Sequence, residues 1–133
     1  MSKEAIAQLI QIARAHIERR MAAPVAGDPT TPEPYFAEIH SELEEAMAEL
    51  TKDNVVYLED ELGDIFWDYC LLLSYLENQG YIDSVDAVFA QSVQKYQERA
   101  PAMRARSQEQ WNTIKHVQKD ELARRHMSRY GAA

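Results

Sequence analysis

Two short acidic turns carry the residues best suited to chemistry, Glu42-Leu43-Glu44-Glu45 and Glu61-Leu62-Gly63-Asp64, with fifteen residues between them. Each sits inside a helical apolar pattern. At about 100° per residue, positions three or four apart share one face of a helix. Glu38, Glu42, Glu45 and Glu49 therefore form one carboxylate stripe, and Tyr57, Glu61, Asp64 and Asp68 repeat the same spacing further on. Apolar residues lie beside these stripes rather than opposite them. On the first segment they are Ile39, Leu43, Ala46, Met47 and Leu50, and on the second Leu58, Leu62, Ile65, Phe66, Tyr69, Leu72, Leu73 and Leu76. Packing the two apolar faces together draws the carboxylates to one edge of the contact. Like charges gathered there repel unless a cation sits among them. Four all-oxygen ligands suit a hard cation, Mg²⁺ or Mn²⁺.

A helical di-iron site is the competing arrangement, and it requires Glu-x-x-His on two helices. The residues three before His16, His40, His116 and His126 are Ala13, Ala37, Thr113 and Ala123, so that signature is missing. The single cysteine, Cys70, forms no intrachain disulfide and no Cys/His zinc cluster is present.

The elements that must position the stripes are all helices. Apolar spacing predicts a first helix over 3–22 through Ile6, Leu9, Ile10, Ala13, Ile17 and Met21, with His16 at its rim. Residues 23–34 hold four of the five prolines, a loop placed to fold over a site. A second helix is expected from Pro34 or Tyr35 to Leu50. A third runs from Val55 to Asn78, capped by Asp53 or Asn54 and closed at Gln79-Gly80. Asp83 or Ser84 opens a fourth, which Pro101 ends or bends, and a last basic helix extends to Arg129. The third helix is apolar on more than one side, since Trp67, Cys70 and Leu71 lie away from its expected intramolecular face. That points to a homodimer or a dimer of dimers.

At 133 residues the chain suits one domain. No apolar run of 18 residues and no signal-peptide layout is present, which gives the expectation of a cytoplasmic protein with no membrane partner. The net charge of −8 is unevenly spread. Residues 27–77 carry fourteen Asp/Glu and one Lys, whereas 94–133 carry nine Lys/Arg and four Asp/Glu. An acidic middle argues against nucleic acid as a partner and suits a cation.

Glu42-x-x-Glu45, the fifteen-residue gap, Glu61-Leu62-Gly63-Asp64 and the following Ile65-Phe66-Trp67 together resemble the MazG-like nucleotide pyrophosphohydrolases. Lys95-Tyr96-Gln97-Glu98-Arg99-Ala100-Pro101 is similar to the Lys-x-x-x-Arg stretch that follows the fourth helix in many members. The resemblance covers about residues 35–101 of a single domain spanning 1–133, with 102–133 as a basic extension. Many members have a second Glu directly before the first pair. Ser41 stands there in this chain, and Glu38, which lies on the stripe, or Glu44 would substitute.

The resemblance implies an all-α four-helix bundle with an additional C-terminal helix. It also implies Mg-dependent hydrolysis of a nucleoside triphosphate between its α and β phosphates, giving monophosphate and pyrophosphate. Glu42, Glu45, Glu61 and Asp64 are then the metal ligands, and Glu38 or Asp68 takes a proton from the attacking water. Lys95 and Arg99, four apart on one helix face, and Lys52 in the turn between the ligand helices are candidates for phosphate. Lys95 and Arg99 equally suit salt bridges to Glu98 and the acidic face. Tyr57 and Tyr75 share the acidic face and are candidates for stacking on a base. A different class of function is also compatible with the residues: a non-catalytic helical protein that uses its acidic face to bind a basic partner.

Overall fold

The computed structural model describes residues 2–131. It contains five helices: α1 (Ser2–Ala22), α2 (Glu33–Ala48), α3 (Val55–Asn78), α4 (Val85–Ala105) and α5 (Gln108–Tyr130). No strand occurs among the described residues, and the chain is all-α. No helix among the described residues is long and apolar enough to cross a membrane. Contacts divide the chain into two compact units, one ending at Val85 and the other beginning at Asp86.

In the first unit, α3 is the central element, with α1 and α2 both packed on it. Its core combines Ala13 and Ile17 of α1, Tyr35 of α2, and Cys70, Leu71, Leu72 and Tyr75 of α3. Each fully buried large apolar side chain contributes about 1.5–3 kcal/mol. The Tyr35 and Tyr75 rings stack with centroids 4.6 Å apart. The Tyr35 hydroxyl accepts a hydrogen bond of 3.0 Å from Arg20 Nη1, so its polar end is satisfied. Arg14 grips Glu77 through Nε and Nη2 at 3.0 and 3.3 Å, and Glu77 Oε2 also accepts from the Val85 N–H at 2.7 Å. Burial alone would raise the Glu77 pKa, but the Val85 N–H and the Arg14 guanidinium outweigh it and hold the carboxyl below its usual range.

The helix ends follow from local chemistry. After α3, Gly80 takes a left-handed φ of 80°, its N–H donates to Glu77 O, and the Tyr81 N–H reaches back to Leu76 O. These two bonds make a Schellman closure, which favours glycine at that position. At the start of α3, Asn54 occupies the capping position but caps nothing with its side chain. Its amide instead donates to the carbonyl and carboxylate of Glu49, which closes the α2–α3 turn.

Three expectations need correcting. First, Cys70 and Leu71 do not face outward. They are buried in the core with Ala13 and Ile17, because α1 covers the side of α3 that the sequence left without a neighbour. Second, part of the expected apolar contact between the ligand helices is exposed: Leu43 and Met47 on α2, Leu50 just beyond it, and Leu62 on α3. Ile39, Ala46 and Phe66 are the residues that turn inward there. Third, Pro101 does not stop α4, which continues to Ala105. Proline removes one helical N–H, a local loss in a helix of 21 residues.

In the second unit the break comes at Arg106, whose φ of 51° is left-handed, and at Ser107. The Ser107 Oγ accepts from the Gln110 N–H and caps α5. Arg99 is buried there, and its Nε donates to Gln118 Oε1 at 2.8 Å. Its guanidinium carbon lies 4.5 Å from the Trp111 ring centroid and 5.7 Å from that of Tyr96. No residue of α5 is buried.

Candidate metal centre

The turn at 49–54 reverses the chain, so the acidic half of α2 lies against the first half of α3 while Tyr35 meets Tyr75 at the other end. Three overlapping carboxylate groups line this contact. Glu42, Glu45 and Glu61 each offer an oxygen within 4.8 Å of the others. Asp60, Glu61 and Asp64 form a second such group, and Glu38, Glu42 and Asp68 a third. Glu61 links the first two groups, and Glu42 links the first and third. The four motif carboxylates thus belong to one continuous cluster.

Three oxygens in this cluster are buried and have no hydrogen-bond partner: Glu42 Oε2, Glu61 Oε2 and Asp68 Oδ2. Buried polar atoms are normally paired, since leaving one unpaired costs about 1–3 kcal/mol. The electrostatics report the same strain. Burial, a hydrogen bond with Glu45 and the charges of Glu45, Asp68 and Asp64 push Glu42 up to about 7. Glu61 is raised by burial and then by Glu45 and Asp64, and Asp68 by burial and then by Glu38 and Asp64. Burial comes first in each case, and the rest is repulsion among carboxylates with no positive charge between them. A divalent cation supplies it, and orphaned, all-oxygen donors on two facing helices fit a hard one.

The family model of the MazG nucleotide pyrophosphohydrolase domain matches residues 30–104. The chain belongs to this family. The match spans both acidic turns and the Lys95–Arg99 stretch, and membership puts the chain among nucleotide pyrophosphohydrolases at the family level. Neither the curated proteins nor the solved structures include a match to it.

The remaining expected site residues of this MazG domain lie in varied settings. Glu38 is exposed on α2, and Asp68 is buried on α3. Glu49, last on its stripe, is tied to Asn54 and joins none of the three groups. Tyr57 is exposed at the start of α3, whereas Tyr75 is buried, with Tyr35 against its ring. Lys52 is exposed in the turn. In the second unit, the Lys95 ammonium lies 5.6 Å from the Tyr96 ring centroid, and Arg99 is engaged as described above. Asp60 escaped the sequence reading. It stands four residues before Asp64, a spacing that shares a helix face, but adjacent to Glu61 it reads as an ordinary solvated acid.

Proposed function

We propose that this MazG domain is a divalent-cation-dependent nucleoside triphosphate pyrophosphohydrolase, releasing a nucleoside monophosphate and pyrophosphate. The observation that carries this reading is the trio of buried, unpartnered carboxylate oxygens on Glu42, Glu61 and Asp68, set within a cluster joined by Glu45, Asp60 and Asp64. Family membership supplies the class of reaction.

In this reading Glu42, Glu45, Glu61 and Asp64 hold the cation, with Mg²⁺ favoured and Mn²⁺ an alternative. When bound, a cation of this kind screens phosphate charge, polarises phosphorus and lowers the pKa of water. The protein's residues do the rest. Glu38 is exposed beside Glu42 and is the group that accepts the proton of the attacking water. Lys52, on the turn that joins the two ligand helices, offers an ammonium to the phosphate oxygens. The exposed ring of Tyr57 is available to a base, unlike that of Tyr75. The exposed Leu43, Met47 and Leu62 beside the cluster suit a second copy of the chain.

The test is pyrophosphate release from a panel of ribo- and deoxynucleoside triphosphates, with and without Mg²⁺ or Mn²⁺. Metal-dependent release is expected from some of them. Glu61→Gln should remain folded and lose roughly a hundredfold or more, the scale of removing one preorganised electrostatic group. Silence across the panel together with no metal binding by calorimetry would overturn the reading and leave the acidic face as a surface for a basic partner.

A further inference from the structure

Beside the carboxylate cluster, the first unit contains a cavity of about 400 Å³ that the cation does not need. Its walls come from four separate elements. Arg20 stands at the end of α1, Pro29 on the proline-rich loop, Tyr35 and Glu38 at the start of α2, and Asp68 and Leu71 in the middle of α3. The loop is not loosely draped over it. Asp28 Oδ2 accepts from the Val25 N–H at 2.9 Å, the Asp28 N–H donates to Val25 O, and Arg20 Nε lies 3.9 Å from Asp28 Oδ1. Arg20 also donates to the Tyr35 hydroxyl, so the guanidinium is fixed from two sides before any ligand arrives. Asp68 is 9% exposed, and its Oδ2 has no hydrogen-bond partner among the described residues.

The lining mixes polar and apolar surface, with the charged groups of Arg20, Glu38 and Asp68 set among Pro29, Pro34 and Leu71. Leu71 and Pro29 offer apolar surface to a flat ring, while Arg20 offers only donors and the carboxylate oxygens of Asp68 and Glu38 act as acceptors. Phosphate is a poor occupant, because two carboxylates share the wall. A ring that presents an exocyclic amino group next to an acceptor is a good one. Glu38 and Asp68 each place an oxygen within 4.8 Å of one on Glu42, so the cavity adjoins the proposed metal ligands.

We propose that this cavity receives the nucleobase of the substrate, and that Asp68 selects bases bearing an amino group by accepting its hydrogen bond while Arg20 donates to a neighbouring acceptor on the ring. The inference rests on the pyrophosphohydrolase reading and adds the specificity-determining residues. Cytosine, adenine and guanine present an amino group. Uracil and thymine instead flank their single ring N–H with carbonyl oxygens, which face the carboxylate unfavourably.

The test uses the full chain with Mg²⁺ and follows binding of nucleoside monophosphates by calorimetry, in ribo and deoxy forms, alongside pyrophosphate release from the corresponding triphosphates. Amino-bearing bases should bind about ten- to a hundredfold more tightly than uracil and thymine, the usual worth of a hydrogen bond to a charged group. Asp68→Asn, which keeps shape but offers a donor as well as an acceptor, should erase that preference in the monophosphate titrations. Pro29→Phe should close the cavity from the loop and weaken every monophosphate, without altering a helix. Two results would overturn the proposal: affinity that follows the sugar rather than the base, or a base preference unchanged in Asp68→Asn. Failure of the hydrolase reading looks different. It would appear as an absence of pyrophosphate release from every triphosphate, while monophosphate binding still reports on the cavity.

Discussion

The two halves of α3 are built for opposite purposes. From Val55 to Trp67 no residue is buried, and the helix carries Glu59, Asp60, Glu61 and Asp64. From Asp68 to Tyr75 every residue except Tyr69 is buried. One half is locked between α1 and α2, and the other holds charges that repel one another. Within a single helix, then, stability and chemistry are separated along the axis, and Asp68 stands at the junction. The buried half can tolerate the strain of the acidic half because apolar packing there does not depend on the protonation state of the cluster.

Substitutions should divide along the same line. The largest effect belongs to Leu72→Ala, which removes a buried side chain and should cost about 2–5 kcal/mol in a denaturant titration. The metal affinity of the molecules that remain folded should not change. A comparable loss of metal affinity would dissolve the distinction between the halves. Glu42→Gln should do the reverse. Metal affinity at pH 8 should fall on the order of a hundredfold, as for removal of a direct ligand, while the metal-free protein melts at a higher temperature than wild type, since one repelling charge is gone.

The pH dependence sharpens the comparison further. The Glu42 carboxyl rises from 4.5 to about 7 on folding, and Glu61 and Asp68 shift in the same direction. A group held above its unfolded pKa favours the native state only while it is protonated. Metal-free protein should therefore lose stability as pH climbs from about 4.5 to about 7, with Mg²⁺ or Mn²⁺ restoring it at the upper end. Melting curves at pH 5 and pH 8, with and without metal, check this, and Glu42→Gln should flatten the metal-free trend. The smallest effect is at Gly63. It sits within α3, and a Cβ added there would meet nothing within 4 Å. Gly63→Ala should stabilise the helix by about 0.5–1 kcal/mol in thermal melts.

Much of this arrangement could be read from the sequence, for reasons that differ from element to element. The bounds of α3 follow from Asn54 and Gly80, which sit at its two ends, and the carboxylate stripes follow from spacing alone. Which neighbour covers an apolar stripe is a different matter. Cys70 and Leu71 looked outward because periodicity records that a face is apolar but not that α1, some fifty residues earlier, returns to cover it. Leu43, Met47 and Leu50 looked buried for the same reason, their stripe being real although the described residues of the first unit leave it exposed. Tyr35 was read only as a helix start, yet it is a core residue, because its partners Tyr75 and Arg20 lie in other helices. The 23–34 loop was expected to fold over a site, but the other walls of the cavity were not legible, because Arg20, Pro29, Glu38 and Asp68 share no local pattern.

Cys70 gives the packed half of α3 a built-in clock. Its thiol is fully buried, and burial pushes its pKa up to about 11, so an alkylating reagent finds almost no thiolate until the helices part. With no other cysteine in the chain, the rate of a single mass shift measures how often that half opens. The acidic half can be perturbed by pH, by metal or by substitution while this rate is followed, so the opening of one end of the helix is timed against events at the other.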